Sequence, residues 1–211
     1  MALKPSLVRV FSNFQKECKE NSLKSADEAR IELLKEQKEL TDLANRVTSE
    51  YEKIVEGCEL PQNIASEEAT KEPILTNQKY VELTKEVTKH INKLLSIYRS
   101  IKMWIKLNVE SVSNSETFVF QVQEEVLEIL NGAEDSTEEF LTNMSDYHTE
   151  RSEITSKIQL YPQYENLVHQ LKYFDKKSAT EILVSIKSLG DDASQIIDLI
   201  QKNEEYLTIK K

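Results

Sequence analysis

The sequence predicts an all-α protein, an up-down antiparallel four-helix bundle, and three observations carry that expectation. Apolar residues recur at alternating steps of three and four along most of the chain. Gly and Pro number only three and four in 211 residues, and 30% of residues are charged. The spacing is that of a helix with one buried stripe. Scarce Gly and Pro leave few places for hairpin turns, and dense charge suits long solvated helix faces. A single domain over residues 1–211 is expected.

The first helix is predicted to begin near Pro5, a residue favoured at the first helical position, and to run with breaks to about Glu56. Its apolar positions are Val8, Phe11, Phe14, Leu33, Leu40, Leu43, Val47, Tyr51 and Ile54. The polar passage Lys19 to Asp27 could interrupt it, with Ser25 or Asp27 capping a restart. Residues 57–75 hold Gly57, Pro61 and Pro73 among Ser, Glu and Asn, and read as a linker.

Thr76 or Asn77 is positioned to cap the second helix, roughly 45 Å long by its residue count. Tyr80, Leu83, Val87, Ile91, Leu94, Tyr98, Ile101 and Ile105 complete its stripe. Met103, Trp104 and Leu107 lie off that stripe. Phe118 and Phe120 likewise flank the stripe of the third helix, which reads Val119, Val122, Val126, Ile129, Ala133, Phe140, Met144 and Tyr147. A helix end that is apolar all round is buried all round. Two coverings fit, further helices of the same chain or a neighbouring subunit.

At Asn131-Gly132 the third helix could end, since Gly costs about 1 kcal/mol in a helix interior and Ser136 with Glu139 has capping-box spacing. The apolar phase nevertheless continues through Thr137 to Tyr147, which predicts one helix to about Lys157. A short turn at Gln159 to Gln163, centred on Pro162, makes antiparallel neighbours of the third and fourth helices. The fourth carries Tyr164, Leu167, Leu171, Phe174, Ile182, Ile186, Leu189, Ile196, Ile200 and Leu207, with a kink allowed at Gly190-Asp191-Asp192.

Several function classes find no support. A formal net charge of -10, with Lys interleaved among Glu, opposes binding to nucleic acid. No apolar leader and no uncharged run of membrane-spanning length occurs, so a soluble intracellular protein without a membrane partner is expected. Cys18 and Cys58 lack CxxC spacing and read as ordinary thiols. His90, His148 and His169 each lack a Glu three residues earlier, and Glu86/His90 or Glu165/His169 are ordinary helix-face pairs. No metal, no cofactor and no catalytic residue is assigned. Glycine-rich phosphate loops and nucleophile elbows are absent too, so an enzyme is not expected.

The segment Asn77 to Leu107, the loop after it, the run Phe118, Val122, Gln123, Glu124 and Val126, then Phe140, Tyr147, Glu150-Arg151 and Leu167-Val168-His169-Gln170-Leu171 resemble the REG (11S regulator) family of proteasome activators. The match to vertebrate members runs without a gap from about Asn77 to Arg151 and more loosely to Leu207. Residues 1–76 match weakly, and the linker falls where the family carries a variable insert.

The resemblance implies a heptameric ring, alone or with sister subunits, that sits on the outer ring of the proteasome core particle and opens its gate without ATP. It also implies two working elements. The activation loop would be Glu110, Ser111, Val112, Ser113, Asn114, Ser115, Glu116, Thr117 and Phe118. The docking tail would be Thr208, Ile209, Lys210 and Lys211. Where the family loop reads Gly-Asn-Asn-Phe-Gly, this chain has Ser115-Glu116-Thr117-Phe118-Val119, keeping Phe and losing the positive-φ freedom of Gly. Lys210-Lys211 would bring two cations to a pocket whose usual feature is a lysine. The rival expectation is a scaffolding bundle that assembles through its heptad faces, or a REG-fold protein with altered activation. The implied compartment is cytoplasm, nucleus or both.

Overall fold

The computed structural model describes residues 5–56, 76–108 and 117–207, with the side chains of 5–8, 11, 56 and 117 outside that description. Four long helices and one short one account for it: α1 (Pro5–Glu56), α2 (Gln78–Asn108), α3 (Thr117–Leu160), α4 (Glu165–Lys202) and α5 (Glu204–Leu207). No strand occurs among the described residues. None of the described helices is long and apolar enough to cross a membrane. The predicted linker 57–75 falls outside the described residues.

The helices build two compact units, one from Met1–Gln37, Asn92–Ser136 and Asp191–Lys211, the other from Lys38–Ile91 and Thr137–Gly190. Each of α1 to α4 contributes a segment to both. Within each unit the segments pack as an antiparallel bundle.

Helix α1 is unbroken, and the interruption allowed at Lys19 to Asp27 does not occur. The passage holds neither Gly nor Pro, and its core positions go to small residues. Ser22 and Ala26 are buried there, with Ala29 just beyond, and Ser22 Oγ donates to the carbonyl of Lys19 at 2.9 Å, satisfying its hydroxyl inside the helix. Phe14, expected in the core, is exposed. Helix α3 passes through Gly132, where a Cβ would meet open space. Helix α4 passes unbroken through Gly190, where a Cβ would make ordinary contact with Leu40 at 3.8 Å.

All eight positions predicted for the α2 stripe are buried. The α3 stripe differs: Val119, Val122 and Ile129 are half-buried, and the core positions go to Gln123, Val126, Leu130, Ala133, Thr137, Met144 and Tyr147. In α4, Leu171, Ile182, Ile186, Leu189, Ile196 and Ile200 are buried as expected, while Tyr164 is exposed in the α3–α4 turn.

In the second unit, Asn77 joins two helix ends. Its Oδ1 accepts from the Tyr80 amide at 3.2 Å, the capping bond expected at the start of α2, and its Nδ2 donates to the carbonyl of Ile54 at 2.9 Å near the end of α1. Lys79 Nζ donates to the neighbouring Lys53 carbonyl at 3.2 Å, where a cation suits a helix C-terminus. Tyr147 stacks against Phe174 with centroids 5.4 Å apart and rings nearly parallel, and meets Tyr80 at 4.0 Å. Ile154 and Ile158 of α3 pack with Leu171 of α4 beside the turn.

A buried polar network crosses this core. Asp175 Oδ1 accepts from Tyr147 Oη at 2.8 Å and Arg151 Nε at 3.0 Å, while its Oδ2 accepts from Arg151 Nη2 at 3.3 Å. Arg151 and Asp175 are both buried, so the carboxylate and guanidinium offset each other's lost hydration only while both are present. Burial, and then the Asp175 charge, push the Tyr147 phenol well above its ordinary pKa.

Asp175→Ala is expected to lower unfolding free energy by about 3–5 kcal/mol, because it leaves a buried guanidinium without its carboxylate. Urea denaturation measures it; a loss below about 1 kcal/mol is the size of an exposed pair and would show that the network contributes little.

Candidate functional site

The first unit contains the end of α2, the start of α3 and the end of the described chain. It therefore holds every described residue that borders a predicted working segment. Toward its C-terminus α2 is buried on more than one side, since Leu95, Ile97 and Trp104 join the stripe residues in the core. Trp104, the largest of them, is wholly enclosed.

Arg30 of α1 covers Trp104, with its guanidinium carbon 4.4 Å from the ring centroid. A cation over an indole face contributes about 0.5–2 kcal/mol, more when water is excluded. Covering by the same chain thus accounts for Trp104. It does not account for Met103 and Phe118, which stay 57% and 61% exposed. Arg30 Nη1 also donates to Glu204 Oε1 at 3.2 Å and lies 3.8 Å from Asp27. Arg30 Nε and Nη2 and Trp104 Nε1 have no hydrogen-bond partner among the described residues.

Glu204 opens α5, an element not expected from the sequence. Asn203 separates it from α4: its amide and Nδ2 donate to the carbonyl of Leu199 at 3.2 and 2.9 Å. Its own carbonyl accepts from the amides of Tyr206 and Leu207 at 2.9 and 3.0 Å. These bonds lead the chain from α4 into α5, which ends on the wholly buried Leu207. Gln123 of α3, itself buried, donates from Nε2 to the Tyr206 carbonyl at 2.9 Å. On the outer side Phe118 meets Tyr206 edge to face, with centroids 5.4 Å apart and planes at 87°. Pairs of this geometry contribute about 0.5–1.5 kcal/mol beyond area burial.

Helices α2 and α3 are tied together by charge as well. Arg99 Nε donates to Glu134 Oε1 at 2.9 Å, and Lys102 Nζ is bonded to Oε2. Burial acts to raise the Glu134 pKa, but the hydrogen bonds and charges of Lys102 and Arg99 outweigh it and hold the carboxyl below its ordinary value. Asn108 closes α2 by donating from Nδ2 to the Trp104 carbonyl at 2.9 Å. Deeper in the unit, Glu36 of α1 is wholly buried and paired with Lys93 of α2 at 2.6 Å. Burial, then the charges of Asp192 and Glu36, push the Tyr98 phenol well above its ordinary pKa.

Of the predicted activation loop, Glu110, Ser111, Val112, Ser113, Asn114, Ser115 and Glu116 lie outside the described residues. Thr117 is the first residue of α3 and Phe118 the second. The predicted tail, Thr208, Ile209, Lys210 and Lys211, also lies outside them. Arg30, Glu204 and Tyr206 were not anticipated as residues of this region, and Gln123, named only among the residues of the resemblance, was given no role. One signal was available: Gln123 stands three residues before Val126 and seven before Leu130, a polar side chain in the register of the core.

Residues 73–211 match the family described as Proteasome activator PA28, C-terminal. The chain belongs to this family. It is a family of activators rather than proteases. Among named relatives, human Proteasome activator complex subunit 3 is 27% identical over 132 residues, 63% of this chain and 52% of the relative, and the chicken protein matches to the same extent. The chain spans about half the length of these relatives. Among solved structures, the 11S subunit of the Plasmodium falciparum proteasome, PA28, superposes with a TM-score of 0.81 at 21% identity, covering 98% of this chain and 96% of that one. The Trypanosome brucei activator PA26, solved in complex with the yeast 20S proteasome, gives 0.77 at 13% identity over 94% and 93%. The likeness of fold includes α1, which lies outside the PA28 family match.

Glu134→Gln is expected to lower stability near neutral pH. The carboxylate's contribution is full above its unfolded-state pKa and is lost as pH falls through the depressed folded value. Urea midpoints of wild type and variant should therefore converge on acidification; a constant gap would place the effect elsewhere.

Proposed function

We propose that this chain is a subunit of an ATP-independent activator that binds the outer ring of the proteasome core particle and opens its gate to stimulate peptide hydrolysis. The observation that carries the reading is the contact of Phe118 with Tyr206. The last helical turn before the predicted tail adjoins Phe118, the last residue of the predicted loop and the second of α3, so a docking segment and a gate-facing segment would leave from neighbouring points. Membership of the PA28 family over residues 73–211 supports it further. So does the solved complex of PA26, a protein of similar fold, with a 20S proteasome.

In this reading the chain works as one four-helix domain and self-associates into a heptamer, alone or with sister subunits. Several tails on one ring raise each other's effective concentration, which offsets the weak docking expected of Lys210-Lys211. The exposed Met103 would belong to the assembled surface. The chain is read as a regulator with no catalytic residue, metal or cofactor of its own, acting in cytoplasm, nucleus or both.

Purified protein mixed with core particles and a short fluorogenic peptide should accelerate hydrolysis and co-sediment with the particles, and light scattering should give about seven chains. Unchanged hydrolysis without co-sedimentation would remove the activator reading. A monomer or dimer would favour the scaffolding alternative. Glu116→Tyr, a bulky change in the loop, is expected to abolish most of the stimulation while the assembly keeps its mass; loss of the assembly would make the loop structural.

A further inference from the structure

Two helices, α1 and α3, hold α5 directly, and each does so by a different interaction. Helix α1 contributes the Arg30 guanidinium, bonded to Glu204 and resting on Trp104 of α2. Helix α3 contributes two contacts: Gln123 Nε2 on the Tyr206 carbonyl, and the Phe118 ring on the Tyr206 ring. Four residues of helix cannot sustain themselves, because an isolated helix this short does not form in water. Its conformation is set by the backbone bonds that continue it from α4 through Asn203, by these contacts and by burial of Leu207.

The Gln123 bond is the most informative. A buried amide donating to a backbone carbonyl fixes main chain rather than a side chain, at the second-last described residue before the predicted tail. Phe118 fixes the same residue from the other side, and Phe118 is itself the second residue of α3. Both partners of the ring contact thus stand at the root of a segment: the chain entering α3 comes from the loop, and the chain leaving α5 goes to the tail.

We propose that Gln123, Tyr206 and Phe118 form a clamp that couples the root of the tail to the root of the loop, so that the last turn of α5 and the first turn of α3 move as one body. Gln123 and Tyr206 are positioning residues that act through the segments they anchor. Phe118, retained where the rest of the family's loop motif is lost, serves here as the outer jaw of the clamp. The functional part of this inference rests on the activator reading; the mechanical coupling does not.

The test uses the full chain with Gln123→Leu, which removes the donor at similar volume, Tyr206→Ala, which removes the ring, and Tyr206→Phe, which keeps both ring and carbonyl. Hydrogen exchange on the chain alone reads the coupling. Gln123→Leu should speed exchange of the Tyr206 and Leu207 amides about five- to tenfold, the factor expected for one hydrogen bond. Tyr206→Ala should speed exchange of the Gln121 and Val122 amides, among the first to bond within α3, because coupling is reciprocal. Tyr206→Phe should match wild type at both places. Exchange that changes only on the mutated side, or on neither, would overturn the clamp.

With core particles, the two disruptive variants should lose maximal stimulation by a larger factor than they raise the concentration for half-maximal effect, and Tyr206→Phe should restore both. Equal wild-type maxima in all variants would sink the functional role. If wild type itself neither binds nor stimulates, the activator reading fails, while the exchange result still decides the coupling.

Discussion

Ionisable and amide side chains that fall on the buried seam, and must find partners on another helix, are the constraint on which this bundle depends. An apolar seam repeating at three and four residues is nearly indifferent to a slip of one heptad, because Leu for Ile across the seam changes little. Glu36 on Lys93, Asp175 on Arg151 and Tyr147, Asn77 on Ile54, and Gln123 on Tyr206 are not indifferent. Each buries a group whose desolvation is offset in one register only. Burial of the seams supplies the driving force, and the polar pairs select among alignments that burial alone would leave close in energy.

The same logic explains why the region around α5 is assembled as it is. Trp104 brings a large apolar face and one N–H donor into the core, and Arg30 covers that face while reaching Glu204 with its outer nitrogen. The stem of Arg30 adds packing to the charge. In the proposed activator reading, the entropic cost of docking a tail falls when its root is already held in place.

Much of the fold was legible in the sequence. The α2 stripe from Tyr80 to Ile105, the Asn77 cap, the turn at Pro162 and the continuity of α3 past Gly132 all follow from local rules. The misreadings are instructive. Lys19 to Asp27 looks like a break because polar residues dominate it, yet Ser22 and Ala26 are small enough to face the core without disturbing the helix. In α3, Val122 and Ile129 read as core because they are apolar, while Gln123 and Leu130, one position on, take the core instead. A polar residue in the seam shifts the apparent phase, since apolarity is being used as a proxy for direction.

Consecutive residues by themselves determined which segments are helical and roughly where they start and stop, because backbone hydrogen bonds run between residues four apart and caps act within one turn. The sequence also carried the likeness to an activator family through an ordered set of side chains around a loop. Only the tertiary structure decided that Arg30 meets Glu204, 174 positions away, and that Gln123 meets Tyr206, 83 positions away. Arg30 and Gln123 are ordinary polar residues on long helices, and no local pattern marks the partner. Their roles come from packing that makes distant main chain the available acceptor for a buried donor.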